Sequence, residues 1–170
     1  NKDAIIRLET SIVPELERIY QMKLPKEKVL VDLTNYATWA GAYSYNDVFC
    51  HIVFSSAHRS NQGELAPEVV FHEASHFLVD KLEQQIKLAS KGKDLKQSIN
   101  LWHNMIFYTT GYVLEKQYAK ENKMFFPYYV QMKFEDKFPD FKASVEACKN
   151  YWNAYSDGKT TMEEAVKSIV

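Results

Sequence analysis

The chain has 170 residues, with 21 Lys and Arg against 22 Asp and Glu, giving a formal net charge of −1. Nucleic-acid binders usually carry a basic excess or stripe, so no nucleic-acid partner is expected. Hydrophobic residues make up 46% and charged residues 25%, as in an ordinary globular protein able to bury a core without disulfides; no run approaches the roughly 18 uncharged apolar residues of a membrane helix, so no membrane partner is expected.

Lys2–Met22 places Ile5, Leu8, Ile12, Leu16 and Ile19 at helical spacing. Pro14 lies inside, predicting a kink or two short helices, and Pro25 closes the segment. The period then shortens. Val29–Leu33, Trp39–Tyr45 (with Gly41 inside) and Asp47–Ser56 read as strands, with a turn at Tyr45-Asn46-Asp47. In the third, Val48, Cys50, Ile52 and Phe54 alternate against the other face. Together they predict a small sheet of about three strands, mostly antiparallel or mixed, with a hairpin.

Asn61-Gln62-Gly63 marks a loop, and Pro67 suits the first turn of a helix running to about Ser90, with Gly92 as its C-cap. A second helix is expected from Asp94 or Ser98 to Asn122, with Ile99, Trp102, Ile106, Val113 and Leu114 as apolar positions. Tyr128–Phe134 fits neither period cleanly. Phe138–Tyr155 reads as a helix on Phe141, Val145, Cys148 and Trp152, ended by Gly158. Thr161 and Glu164 form a capping box for a last short helix ending near Ile169. The class is α+β, with residues 1–170 as one domain.

Cys50 and Cys148 lie too far apart for a zinc knuckle or a redox pair. Two buried thiols and one long-range disulfide both fit. The chain begins at Asn1, which fits a removed signal peptide or a boundary within a longer chain. A secreted or periplasmic location is the expectation, with the cytoplasm as the alternative.

His72-Glu73-Ala74-Ser75-His76 is an HExxH motif. On a helix, residues i and i+4 share a face, so both imidazoles reach one tetrahedral metal ion. Glu73 lies beside them, placed to hold a water and act as general base and then general acid. The bland alternative is a helix whose histidines merely pack or face solvent.

A catalytic zinc takes three protein ligands and keeps one position open. His103 is the first candidate for the third, because a helical hairpin would carry it back alongside the motif. Glu115, Glu83 and Asp94 compete, although Lys116 and Lys120 beside Glu115 suit a solvated salt-bridge face. His51 and His58 fit packed or exposed positions better. Asp80, four residues beyond His76, is a candidate to accept the free N–H of a ligand imidazole. Tyr108 and Tyr112 follow His103 and are candidate catalytic donors to a developing oxyanion. Gly111, inside the second helix, implies close packing there.

His72, Glu73 and His76 resemble the motif of the zincin metallopeptidases. That resemblance implies a small mixed sheet before the HExxH helix, an antiparallel edge strand that binds an extended substrate above zinc, and a second helix that supplies the third ligand. It covers about residues 1–122 in layout and five residues in motif. The Gly and His that extend the metzincin motif are absent from Phe77–Glu83, and the second helix has no Glu-x-x-x-Asp of the thermolysin-like kind. A distant histidine is the pattern of the compact SprT-like proteins. The implied activity is zinc-dependent hydrolysis of a peptide or protein substrate, with zinc on His72, His76 and His103. The rivals are an inactive zincin-like module that binds zinc, and an aromatic groove for peptides or glycans built from Tyr36–Tyr45, Phe125–Tyr129 and Tyr151–Tyr155.

Overall fold

The N-terminal apolar stripe forms one unbroken helix, α1 (Lys2–Tyr20), in a computed structural model that describes residues 2–25, 28–93 and 100–170, residues 39 and 40 by backbone alone. The expected kink or split at Pro14 does not occur. Pro14 and Thr10, whose carbonyl loses its amide partner, are both exposed, so water can take the lost bond. Leu8, Ile12, Leu16 and Ile19 are buried as the spacing required.

Three strands follow: β1 (Val29–Thr34), β2 (Ala42–Asn46) and β3 (Cys50–Ser55). The order is β1-β3-β2, with β1 parallel and β2 antiparallel to the central β3. The mixed sheet and the hairpin therefore stand as expected, with the second and third strands shorter and the first one residue longer. The second strand starts at Ala42 because residues Thr38–Gly41 form a helical turn, α2. Gly41 ends that turn with φ +100, a conformation that L side chains rarely adopt. A Cβ there would meet the His58 ring at under 3 Å. Asn61 Nδ2 fixes the junction by donating to Gly41 O (2.8 Å) and Ser55 O (3.0 Å).

The long helix expected over Pro67–Ser90 is two helices, α3 (Leu65–Ser75) and α4 (Asp80–Ala89). The break falls directly after the motif. His76, Phe77 and Leu78 each donate to the carbonyl three residues back, which tightens the last turn and ends the helix. The next helix, α5, spans Leu101–Lys120; its expected start at 94–99 lies outside the described residues. The ambiguous segment resolves into two helical turns, α6 (Tyr128–Gln131) and α7 (Phe134–Lys137). The helix expected over Phe138–Tyr155 runs as α8 (Pro139–Ala147), a π turn at Cys148–Trp152, and α9 (Asn153–Ser156). The last helix, α10 (Met162–Ile169), carries the complete Thr161–Glu164 capping box.

Two apolar clusters meet on α3. Phe71 joins the large helical core with residues of α1, α4, α5, α8 and α10. Ala66, Val70 and Ala74 pack against Ala42, Ile52 and Phe54 of the sheet. Covered on both sides, α3 buries every residue except Val69, as a helix between two layers must. Cys50 on β3 and Cys148 in the helical core are both buried, with no disulfide between them. Among the described residues no helix is long and apolar enough to cross a membrane.

Candidate metal centre

Helices α3 and α5 run antiparallel and meet in three layers. His76 faces His103 (ring centroids 5.2 Å apart), His72 faces Phe107 (3.9 Å), and Glu68 faces Gly111, where a Cβ would lie 3.1 Å from Glu68 Oε1. Positions 103, 107 and 111 are four apart and share one face of α5, as 68, 72 and 76 do on the last turns of α3. The centroids of His72, His76 and His103 form a near-equilateral triangle with sides of 5.1, 5.2 and 5.2 Å. One ring nitrogen from each lies within 4.8 Å of the others.

The donor set suits a metal ion. Burial holds His72 well below the ordinary histidine range, with the neighbouring His76 and His103 adding to the effect. Burial, and then His103, pushes His76 down to about 4. Burial also lowers His103. Three neutral imidazoles present lone pairs rather than protons, as metal coordination requires. Nδ1 of His72 is buried without a hydrogen-bond partner. The His72, His76 and His103 group can therefore hold a metal ion, and three imidazoles suit zinc, copper, iron or nickel.

Glu73 lies to one side of the trio. Its Oε2 is 4.0 Å from His76 Nε2. Because burial keeps His76 uncharged, this contact is no ion pair; it is a gap that one water can span. Burial raises Glu73 to about 7, partly offset by a hydrogen bond from the Ser44 side chain on β2. A carboxyl poised near neutrality suits proton transfer in either direction.

The histidines open onto a cleft of about 940 Å³. One wall is the edge strand β2, through Ala42, Tyr43 and Ser44. The other is aromatic, built from Phe107, Tyr128, Phe134, Phe138 and Phe141. Among the described residues β2 pairs only with β3, which leaves its outer edge available to an extended chain.

The other candidates fall elsewhere. Tyr108 donates to Asn153 Oδ1 (2.9 Å) and Tyr112 to Asp157 Oδ1 (2.9 Å), so both phenols face the C-terminal helices and neither lines the cleft. At about 100° per residue they sit roughly 140° and 180° around α5 from His103. Asp80 shares no helix face with His76, because the break after the motif makes it the exposed first residue of α4. Glu83 and Glu115 are exposed and away from the cleft, and Asp94 lies outside the described residues. His51 pairs with Asp32 Oδ2 (2.7 Å) and stacks on Tyr45; His58 packs over Gly41 and pairs with Ser60 Oγ (2.6 Å). Trp102, expected as a core position, lines the cleft and packs edge-on against His76.

The cleft also takes in Tyr43, Ser44 and Tyr128, from segments expected only as a rival aromatic groove, and Glu68, which the sequence did not single out. The signal for Glu68 was its place one helical turn before His72. No family model, curated protein or solved structure matches the chain, so the chemistry of the cleft alone points to a function.

Proposed function

We propose that the protein is a zinc-dependent peptidase of the zincin kind, acting on an extended peptide or protein segment. The observation that carries this reading is the convergence of three neutral imidazoles beside the buried carboxylate of Glu73. Binding alone would need the histidines but no base next to them. His72, His76 and His103 would hold the ion. Zinc in such a site lowers the pKa of water to about 7 and polarises a carbonyl oxygen.

The chain's own groups supply the rest. The free edge of β2 aligns the substrate backbone by strand addition, which places a peptide bond over the histidines. Glu73 takes a proton from the attacking water onto its carboxylate. It then delivers that proton to the leaving amine, acting as base and then as acid. The Ser44 hydroxyl keeps the Glu73 carboxylate aimed while the proton moves. The aromatic wall excludes water and receives an apolar side chain of the substrate.

Elemental analysis and a peptide-library assay test this. Wild type should carry close to one zinc per chain and cleave at least one library peptide. His103→Ala should lose zinc and activity together. Glu73→Gln should keep zinc and lose turnover by at least 10²-fold, the low end of a general base's contribution. A Glu73→Gln enzyme with wild-type rates on a verified substrate would refute the role of Glu73. A chain that takes up no zinc would refute the whole reading.

A further inference from the structure

One turn of α3 holds two buried polar atoms that the proposed chemistry leaves unused. Nδ1 of His72 has no hydrogen-bond partner, and neither has Oε1 of Glu68. Glu68 is only 2% exposed, so water does not readily serve its free oxygen. Its other oxygen is committed, accepting the backbone N–H of Tyr128 at 2.6 Å.

The geometry favours a match between the two free atoms. Residues four apart on a helix have Cβ atoms about 5–6 Å apart on one face. Helical side chains lean toward the N-terminus, so the His72 ring leans over the turn that carries Glu68. Phe107 covers the His72 ring at 3.9 Å and restricts its rotation. The absence of a side chain at Gly111 makes the space for Oε1.

We propose that Glu68 is a positioning residue for the metal centre, accepting the Nδ1–H of His72 at Oε1 when His72 gives Nε2 to the metal. A neutral imidazole that binds through Nε2 must carry its proton on Nδ1, and that proton needs an acceptor. The pairing fixes the tautomer and the plane of His72, which sets the direction of its lone pair. Through its second oxygen the same carboxylate holds Tyr128, so the metal centre and the aromatic wall share one anchor. This role rests on the three-histidine reading.

The test is zinc affinity of the full chain, measured by competition with a chromophoric chelator, together with ring ¹⁵N–¹H spectra of the zinc-loaded protein. Glu68→Ala should weaken zinc by about 10–100-fold, the usual effect of removing a group that orients a ligand. Glu68→Gln, which has one acceptor oxygen for two donors, should fall between Ala and wild type. In the wild-type spectra the Nδ1–H of His72 should resist solvent exchange, and in both variants that protection should weaken. If Glu68→Ala does not fold, Glu68→Gln and the wild-type spectrum still decide. Wild-type zinc affinity in a folded variant, or an unprotected Nδ1–H in the loaded wild type, would mean that Glu68 serves only Tyr128. Failure of the wild type itself to bind zinc would instead overturn the metal centre, and this role with it.

Discussion

His72, His76 and His103 lose their protons chiefly to burial, with neighbouring imidazoles adding to the effect at His72 and His76. Burial raises Glu73 by the same physics acting on the opposite charge. One buried cleft thus prepares both halves of the proposed chemistry, three lone pairs and a carboxyl near neutrality. The motif itself was legible because its geometry is local: i and i+4 share a helix face in any protein. Which phenols meet the cleft was not legible. Tyr108 and Tyr112 lie close to His103 in sequence, yet their hydroxyls are taken by Asn153 and Asp157 on the far side of α5. The phenols that line the cleft are Tyr43 and Tyr128, one from each wall. We therefore expect Tyr43→Phe or Tyr128→Phe to lower kcat on a verified peptide by about 10²-fold, within the range for removing one oxyanion donor. Tyr108→Phe should leave kcat within about twofold. Steady-state kinetics of the three variants decides, and a large loss in Tyr108→Phe alone would return the role to α5.

At the scale of elements, the stop in α3 and the glycine in α5 do most to shape the site. Helical periodicity continues past the motif, which is why Pro67–Ser90 reads as one helix and Asp80 as a neighbour of His76. The tightened turn at 76–78 ends it instead, an outcome decided by packing against two layers. Gly111 has the opposite history, since its place inside a helix already announced a close approach. That approach is to Pro127, whose Cβ would lie 2.7 Å from an added Cβ, and to Glu68. In an open helix Gly→Ala gains up to about 1 kcal/mol. Here the clash should reverse the sign, and Gly111→Ala should destabilise by about 1–3 kcal/mol, the usual cost of overpacking. Denaturant unfolding of the two proteins measures it, and a gain in stability would show that the Pro127 loop yields freely.

Across the whole molecule, the candidate centre ties together segments that the sequence keeps apart. The candidate ligands come from the end of α3 and from α5, the open strand edge from β2, and much of the aromatic wall from α6, α7 and α8. A metal bridging α3 and α5 binds the folded chain and not the unfolded one, so it must stabilise the fold by mass action. Zinc at 100 times its Kd should add about 2.7 kcal/mol, which for a chain of this size is roughly 5–10 °C in Tm. A chelator should reverse the shift, and His103→Ala should abolish it. Thermal melts with zinc, with chelator and with the variant give the answer, and an equal shift in His103→Ala would place zinc elsewhere.

Short-range geometry could be read directly from the order of residues. The spacing of His72 and His76, the period-two alternation of β3, the apolar stripe of α1 and the Thr161–Glu164 cap depend on neighbours within a turn or a pleat. That order also named His103, because a hairpin of two helices offers few other histidines. Folding in three dimensions was needed to set which face of α5 meets α3, where α3 stops, and that Ser44, Glu68 and Tyr128 converge on the motif. Those outcomes depend on how layers pack around α3, and packing is settled by contacts between residues far apart in the chain, which no local period records.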